Sequence, residues 1–263
     1  MNVVILGRGR LGHGLRRRLQ ETSVSVRLTS GHAPRGPFEG AVVLAVPDPA
    51  VAAVASALIP RLSAGTPILH CSGSLGPAVL APLREAGCAV GVMHPLVSFA
   101  SPTRPPSLVG TSFLIDGDPK AVRAATTIAK ALEARPVQAE VHGPAYHAAA
   151  AMSANGAAAL SMVAVRVMES IGLSTRDAQR AVGALLRTVG ENIERVGVPD
   201  ALSGPVLRGD HRAVERHRDA LQQLDPDAVR AYDAVAPAIL DCAVRTGLPA
   251  DKAERVRAAL RSV

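Results

Sequence analysis

Short apolar runs rich in β-branched residues recur along the first half of the chain, at Val3–Leu6, Val24–Leu28, Ala41–Val46, Pro67–His70, Ala89–Met93, Thr111–Ile115 and Pro136–Glu140. Their length and composition suit buried strands. Between them, apolar residues recur at helical spacing over Leu11–Glu21, Ala50–Leu62, Gly76–Glu85 and Pro119–Ala134. Asp118-Pro119 reads as a cap followed by proline at the first helical position. Alternating strands and helices predict a parallel sheet covered by helices.

After Val141-His142-Gly143-Pro144 the strand-like runs stop. Ala, Arg, Leu and Val then follow at helical spacing. The pattern predicts a long helix over Ala145–Ile171, a second over Thr175–Val196 capped by Ser174, a loop over Gly197–Asp210, and helices over His211–Leu224, Pro226–Thr246 and Pro249–Arg261. Two domains are therefore expected, an α/β domain over 1–141 and an all-α domain over 142–263. The Ala-rich run Ala148–Ala159, interrupted by Ser153 and Asn155, is expected to be a buried, closely packed helix rather than a membrane span.

One turn carries a chemical signal. Gly7-Arg8-Gly9-Arg10-Leu11-Gly12 follows an apolar strand and opens an amphipathic helix. In that context Gly7 permits the tight turn, Gly9 lets backbone N–H groups approach a pyrophosphate, and Gly12 allows the helix to pack on the sheet. This predicts dinucleotide binding in a Rossmann-type domain. NAD-binding chains of this kind place a carboxylate near the end of the second strand to hold the ribose hydroxyls. Here the stretch is Arg27-Leu28-Thr29-Ser30-Gly31-His32, with none. Hydroxyls at Thr29 and Ser30, and guanidinium groups at Arg8, Arg27 or Arg35, suit a 2′-phosphate, so NADP(H) is expected.

Composition narrows the partners. The 263 residues hold 29 Lys and Arg against 22 Asp and Glu, a net charge of +7, but only 2% aromatics. Readers of single-stranded nucleic acid stack bases on aromatic rings, so nucleic acid is not expected and the charge is assigned to an anionic cofactor or substrate. Three widely spaced cysteines, Cys71, Cys88 and Cys242, form neither a disulfide framework nor a zinc pattern. A reducing cytoplasm and no catalytic metal are expected.

Further along lie Leu44-Ala45-Val46-Pro47-Asp48-Pro49, His70-Cys71-Ser72-Gly73-Ser74, Met93-His94-Pro95-Leu96, Tyr146-His147-Ala148-Ala149-Ala150, Leu202-Ser203-Gly204-Pro205 and Arg208-Gly209-Asp210. Together with the glycine turn they resemble a family of Rossmann-like reductases with a C-terminal helical domain of unknown function. More distantly they resemble pyrroline-5-carboxylate reductase, ketopantoate reductase and the 3-hydroxyacid dehydrogenases. The resemblance implies NADP(H) binding, a 6-phosphogluconate dehydrogenase-like helical domain that closes a substrate cleft, and a homodimer.

Such a reductase needs a proton donor beside the hydride acceptor. In the ketopantoate and 3-hydroxyacid groups that donor is a Lys on the first helix of the second domain. This chain has Lys only at Lys120, Lys130 and Lys252. Its helix offers His147 and Asn155 instead, about 80° apart around an ideal α-helix. His94, after the fifth strand, is the other candidate acid. Val46, Pro47 and Ser72 are expected along the cofactor, and Ser98, Ser203 and Arg208 on a substrate carboxylate. The expected reaction is NADP(H)-dependent reduction of the C=O of a small anionic molecule such as a 2-keto acid. Reduction of a pyrroline-type imine is the enzymatic alternative, and a catalytically silent NADP-binding interaction protein the non-enzymatic one.

Overall fold

The structure is a computed structural model that describes residues 1–32, 36 and 38–261. Arg35, one of the candidate phosphate readers, lies outside the described residues. Seven strands form one sheet: β1 Asn2–Leu6, β2 Ser25–Thr29, β3 Ala41–Leu44, β4 Pro67–His70, β5 Ala89–Pro95, β6 Ser112–Gly117 and β7 Arg135–Gln138. Their order is β2-β1-β3-β4-β5-β6-β7. Four helices accompany them, α1 Arg10–Leu19, α2 Val51–Leu58, α3 Ala81–Glu85 and α4 Pro119–Ala131.

Period-two alternation on buried strands explains the layering. In β1, Val3 and Ile5 face one core, with Leu15 and Leu19 of α1 and Ala121, Ala125 and Ile128 of α4. Val4 and Leu6 face the other, with Val51, Ala55 and Leu58 of α2 and Leu83 of α3. Apolar on both faces, the strands need helices on both sides, and each fully buried Leu or Ile contributes about 1.5–3 kcal/mol.

One pairing departs from the expected parallel arrangement: β6 runs antiparallel to β5, with His94 opposite Leu114 and Pro95 opposite Phe113, and β7, parallel to β6, keeps the reversed direction. The connection 96–111 contains no helix. A parallel neighbour would need a crossover unit there, and an antiparallel one does not. The same pairing extends β5 through Pro95, so His94 sits within the strand rather than after it. Asp118 occupies the predicted position before Pro119, yet its carboxylate accepts from the Val90 N–H at 2.8 Å and from Arg84 Nε at 3.1 Å rather than from the helix.

The compact units are Met1–Ala154 and Asn155–Val263. They divide within a continuous helical stretch composed of α5 Pro144–Ala151, a π turn over Met152–Gly156, and α6 Ala157–Ser170. The expected buried helix is not buried: none of its residues falls in that class. By length and composition alone this stretch is apolar enough to cross a membrane. The second unit continues with α7 Thr175–Val196, α8 Pro205–Arg208, α9 His211–Leu224, α10 Pro226–Arg245 and α11 Ala250–Arg261. Ser174 caps α7 as its sequence predicts, its hydroxyl accepting from the Asp177 N–H at 3.1 Å. α8 was expected to be loop. Gly204, at φ 108°, precedes Pro205, and left-handed Gly209 closes this single turn, leaving room for little more. Val206, Val214, Ala236, Leu240, Ala253 and Val256 form the core of this unit.

Candidate functional site

The glycine turn lies where the sheet order reverses. Leu6, the last residue of β1, pairs with Thr29 of β2 on one side and Leu44 of β3 on the other. The chains leaving β1 and β3 diverge there, the place where open α/β sheets hold ligands. Gly7 takes φ +123°, and a Cβ on it would lie 2.1 Å from the Ala45 carbonyl oxygen. A Cβ on Gly12 would lie 1.9 Å from the Gly7 carbonyl oxygen. A Cβ on Gly9 would meet nothing within 4 Å. Gly7 and Gly12 thus serve backbone packing, whereas the space at Gly9 is open at the N-terminus of α1. No side chain caps that ten-residue helix and its first turn carries no acid, which leaves its N–H groups and dipole to an anion. The loop fits the pyrophosphate of a dinucleotide.

Around this turn the predicted cofactor residues fall into different roles. Arg8 and Arg10 are exposed beside Gly9, Leu11 is half-buried, and Thr29 accepts the Gly7 N–H at 3.0 Å through its carbonyl. The Ser30 hydroxyl accepts the His32 N–H at 3.1 Å. Val46 comes close to both Gly7 and Gly31, with its Cγ1 2.7 Å from where a Gly31 Cβ would be. It forms a wall of the cradle, and Pro47 next to it is exposed. Arg27 places its guanidinium 5.9 Å from the Phe38 ring centroid. Ser72 is committed to its own turn, its hydroxyl accepting the N–H groups of Ser74 and Leu75, each at 3.1 Å.

A polar cluster continues along the same sheet edge. The Asp48 carboxylate, after β3, accepts from the Ser74 hydroxyl, after β4. His70 is wholly buried, with Nε2 3.2 Å from the Gly76 carbonyl oxygen and Nδ1 accepting the Ser72 N–H at 3.3 Å. Those partners assign its proton to Nε2 and give it a structural role. His94 Nδ1 lies 2.8 Å from the Tyr146 hydroxyl, the two rings meeting edge to face. A Cβ on Gly73 would be 2.9 Å from His94 Nε2 and 3.2 Å from His147 Nδ1, so Gly73 is the space in which the two imidazoles converge.

Burial, followed by repulsion from the nearby His147, pushes the His94 pKa down to about 4 against a weaker pull from Asp48. His70 is also lowered, first by burial. Burial raises the Tyr146 hydroxyl, keeping it protonated, and pushes the Cys71 thiol up to about 12, which makes it inert. The linkage sign follows. Above pH 6.5 His94 is neutral folded or unfolded; as pH falls from 6.5 to about 4 the unfolded chain takes up the proton first. Stability is therefore lost across that window, by about 2 kcal/mol for this partly exposed group. Thermal melts of the native protein and His94→Gln should diverge in slope between pH 6.5 and 5, with the variant the flatter of the two.

His147 and His94 thus come together, and Tyr146 joins them as a residue to which sequence reasoning gave no role. Its partner is 52 positions away, and the only signal was its place beside His147. Asn155 falls in the π turn and the second unit, so the α-helical angle used to pair it with His147 does not apply. Ser98 is exposed on the 96–111 connection. Ser203 precedes α8 and Arg208 is its last residue, both exposed on the second unit, while Asp210 caps α9 by accepting the Ala213 N–H at 3.0 Å. Among the described residues no group of three or more His, Cys, Asp or Glu is arranged to hold a metal.

A Rossmann-like domain model matches residues 16–95, and the model of a domain of unknown function, DUF2520, matches residues 111–239. No curated protein matches. Protein TM1727 of Thermotoga maritima has a similar structure, with a TM-score of 0.64, 22% identity, and coverage of 93% of this chain and 99% of that one. So does protein BF3122 of Bacteroides fragilis, named as a proposed NADP oxidoreductase, with a TM-score of 0.71, 18% identity and coverage of 91% and 98%. Plasmodium falciparum pyrroline carboxylate reductase, solved with NADP bound, gives 0.56, 14%, 92% and 98%. At these identities the likeness is one of fold. The chain carries a Rossmann-like domain followed by a domain of the DUF2520 family.

Proposed function

We propose that the protein is a nicotinamide-dependent reductase, using NADP(H) in preference to NAD(H), that reduces the C=N bond of a small imine. The observation that carries the reading is the Tyr146 hydroxyl 2.8 Å from His94 Nδ1, on the sheet edge that also holds the glycine turn. Gly7, Gly9, Gly12 and the N-terminus of α1 would hold the pyrophosphate, with Val46 as a wall. The absence of a carboxylate at the end of β2, with hydroxyls at Thr29 and Ser30 and the exposed Arg8, supports a 2′-phosphate. A reduced nicotinamide bound there would supply hydride to an electron-poor carbon.

The chain's own residues account for the proton. Tyr146, kept protonated by burial, can donate to the developing nitrogen or oxygen anion. His94 in its Nδ1–H form passes that proton to the phenolate oxygen as its Nε2 takes one up from solvent, on the side where His147 lies, so the imidazole ends neutral as the other tautomer. Lysine is not required.

Charge supports an imine over the expected 2-keto acid. His94 is neutral at physiological pH, so it presents no cation to a carboxylate, and the neighbouring formal charge is the Asp48 carboxylate. Such surroundings favour a basic imine, whose nitrogen Tyr146 protonates as hydride arrives, over an anionic keto acid. NADPH oxidation with a cyclic five-membered imine, and separately with a branched 2-keto acid, tests this. Turnover of the imine at ten times or more the keto-acid rate is expected. The reverse ranking contradicts the substrate class, and oxidation with neither contradicts the reductase.

A further inference from the structure

The loop after β4 carries more hydrogen bonding than the proposed reaction uses. His70 holds it from within, Nε2 donating to the Gly76 carbonyl and Nδ1 accepting the Ser72 N–H. The Ser72 hydroxyl accepts two further N–H groups of the loop, and the Ser74 hydroxyl donates to Asp48. Residues 72–76 are thus a fixed platform, and other segments land on it at its two glycines. Gly73 leaves the space in which His94 and His147 converge. Gly76 leaves a second space. A Cβ there would lie 2.6 Å from His142 Cε1, 2.8 Å from Nε2 and 3.0 Å from Nδ1, so the His142 imidazole lies across the glycine. At φ −88° and ψ 176° the Gly76 backbone is open to any residue; it is the ring that leaves no room for a side chain.

Two further contacts tie the same segment down. His142 Nε2 is 3.6 Å from Asp116 Oδ2 on β6, whose other oxygen accepts the Gly117 N–H at 2.7 Å. The Gly143 N–H donates to the Gly73 carbonyl at 3.2 Å. Gly143, at φ 106°, turns the chain into α5, and its carbonyl accepts the His147 N–H at 3.0 Å in the first turn of that helix. Tyr146 stands on this turn, four residues after His142. We propose that His142 is a positioning residue, whose ring, seated across Gly76, fixes the point from which α5 starts and so holds the Tyr146 hydroxyl at His94. Packing carries the role more than charge does, because the pair with Asp116 is long and both side chains are partly exposed.

The kinetic part of the test rests on the proposed reductase, and the spectroscopic part does not. His142→Ala should lower kcat for imine reduction about tenfold, with NADPH affinity within about twofold, because the acid is displaced and the dinucleotide cradle is not. His142→Phe, which refills the space over Gly76, should restore kcat to within about threefold. Gly76→Ala should lose as much as His142→Ala by displacing the ring. The double variant should lose no more than either alone, since the methyl then occupies the space that the ring vacates. In a Tyr232→Phe background Tyr146 is the only tyrosine, and burial holds its phenol above the ordinary value of 10. Followed by phenolate absorbance, it should titrate at lower pH in His142→Ala and not in His142→Phe. An unchanged Tyr146 titration in His142→Ala would overturn the proposal. Additive losses in the double variant would also overturn it, because His142 and Gly76 would then act separately. If the native protein oxidises no NADPH, the reductase fails and the titration alone decides the role of His142.

Discussion

Replacing Tyr146 with Phe is expected to lower kcat about 10²- to 10³-fold while leaving NADPH affinity within twofold, because the change removes one proton and nothing that holds the dinucleotide. The phenyl ring keeps the edge-to-face contact with His94, so the fold is not at risk. His94→Gln should lose less, about tenfold, since His94 acts through the phenol. In the native protein kcat/KM should stay level from pH 8 down toward the His94 pKa near 4, and no imidazole inflection should appear near 6.5. Full activity in Tyr146→Phe with loss in His147→Ala would move the acid role to His147, whose Nδ1 shares the space at Gly73.

The glycine turn yields the second large effect, and two positions separate folding from binding. Gly12→Ala would force a methyl to within 1.9 Å of the Gly7 carbonyl oxygen, so α1 must leave the end of β1. Overpacking against backbone costs about 3 kcal/mol, lowering the melting temperature by roughly 6–12 °C for a chain of this size. NADPH binding should weaken at least 100-fold as the helix N-terminus shifts. Gly9→Ala adds its methyl to open space. It should leave stability within about 1 kcal/mol, the difference between Gly and Ala as a cap, yet weaken NADPH at least tenfold by occupying the pyrophosphate's approach. Unchanged NADPH affinity in Gly9→Ala would mean that Gly9 has no ligand to accommodate.

The strands were legible because burial on both sheet faces demands continuous β-branched runs such as Val42-Val43-Leu44, and such runs have few other uses. The direction of β6 was not, because its sequence reads the same in either sense and the 96–111 connection alone decides. The glycine turn was legible because steric exclusion at Gly7 and Gly12 leaves no other residue. The π turn at Met152–Gly156 was hidden, since Ala, Ser and Asn do not distinguish it from α-helix, and with it went the pairing of His147 and Asn155. Ser72 is the converse of Tyr146: its residue type suggests chemistry, whereas the local N–H groups that its hydroxyl accepts are seen only in the hydrogen bonds.

The measurement that tests the central claim most directly is a titration of the purified chain with NADPH and, separately, NADH, followed by the nicotinamide's own fluorescence, since the protein has no Trp to transfer energy. Saturable binding of both, at least tenfold tighter for NADPH, is the predicted result. No binding of either, under conditions where the protein melts cooperatively, would contradict the assignment of the glycine turn and with it the reductase.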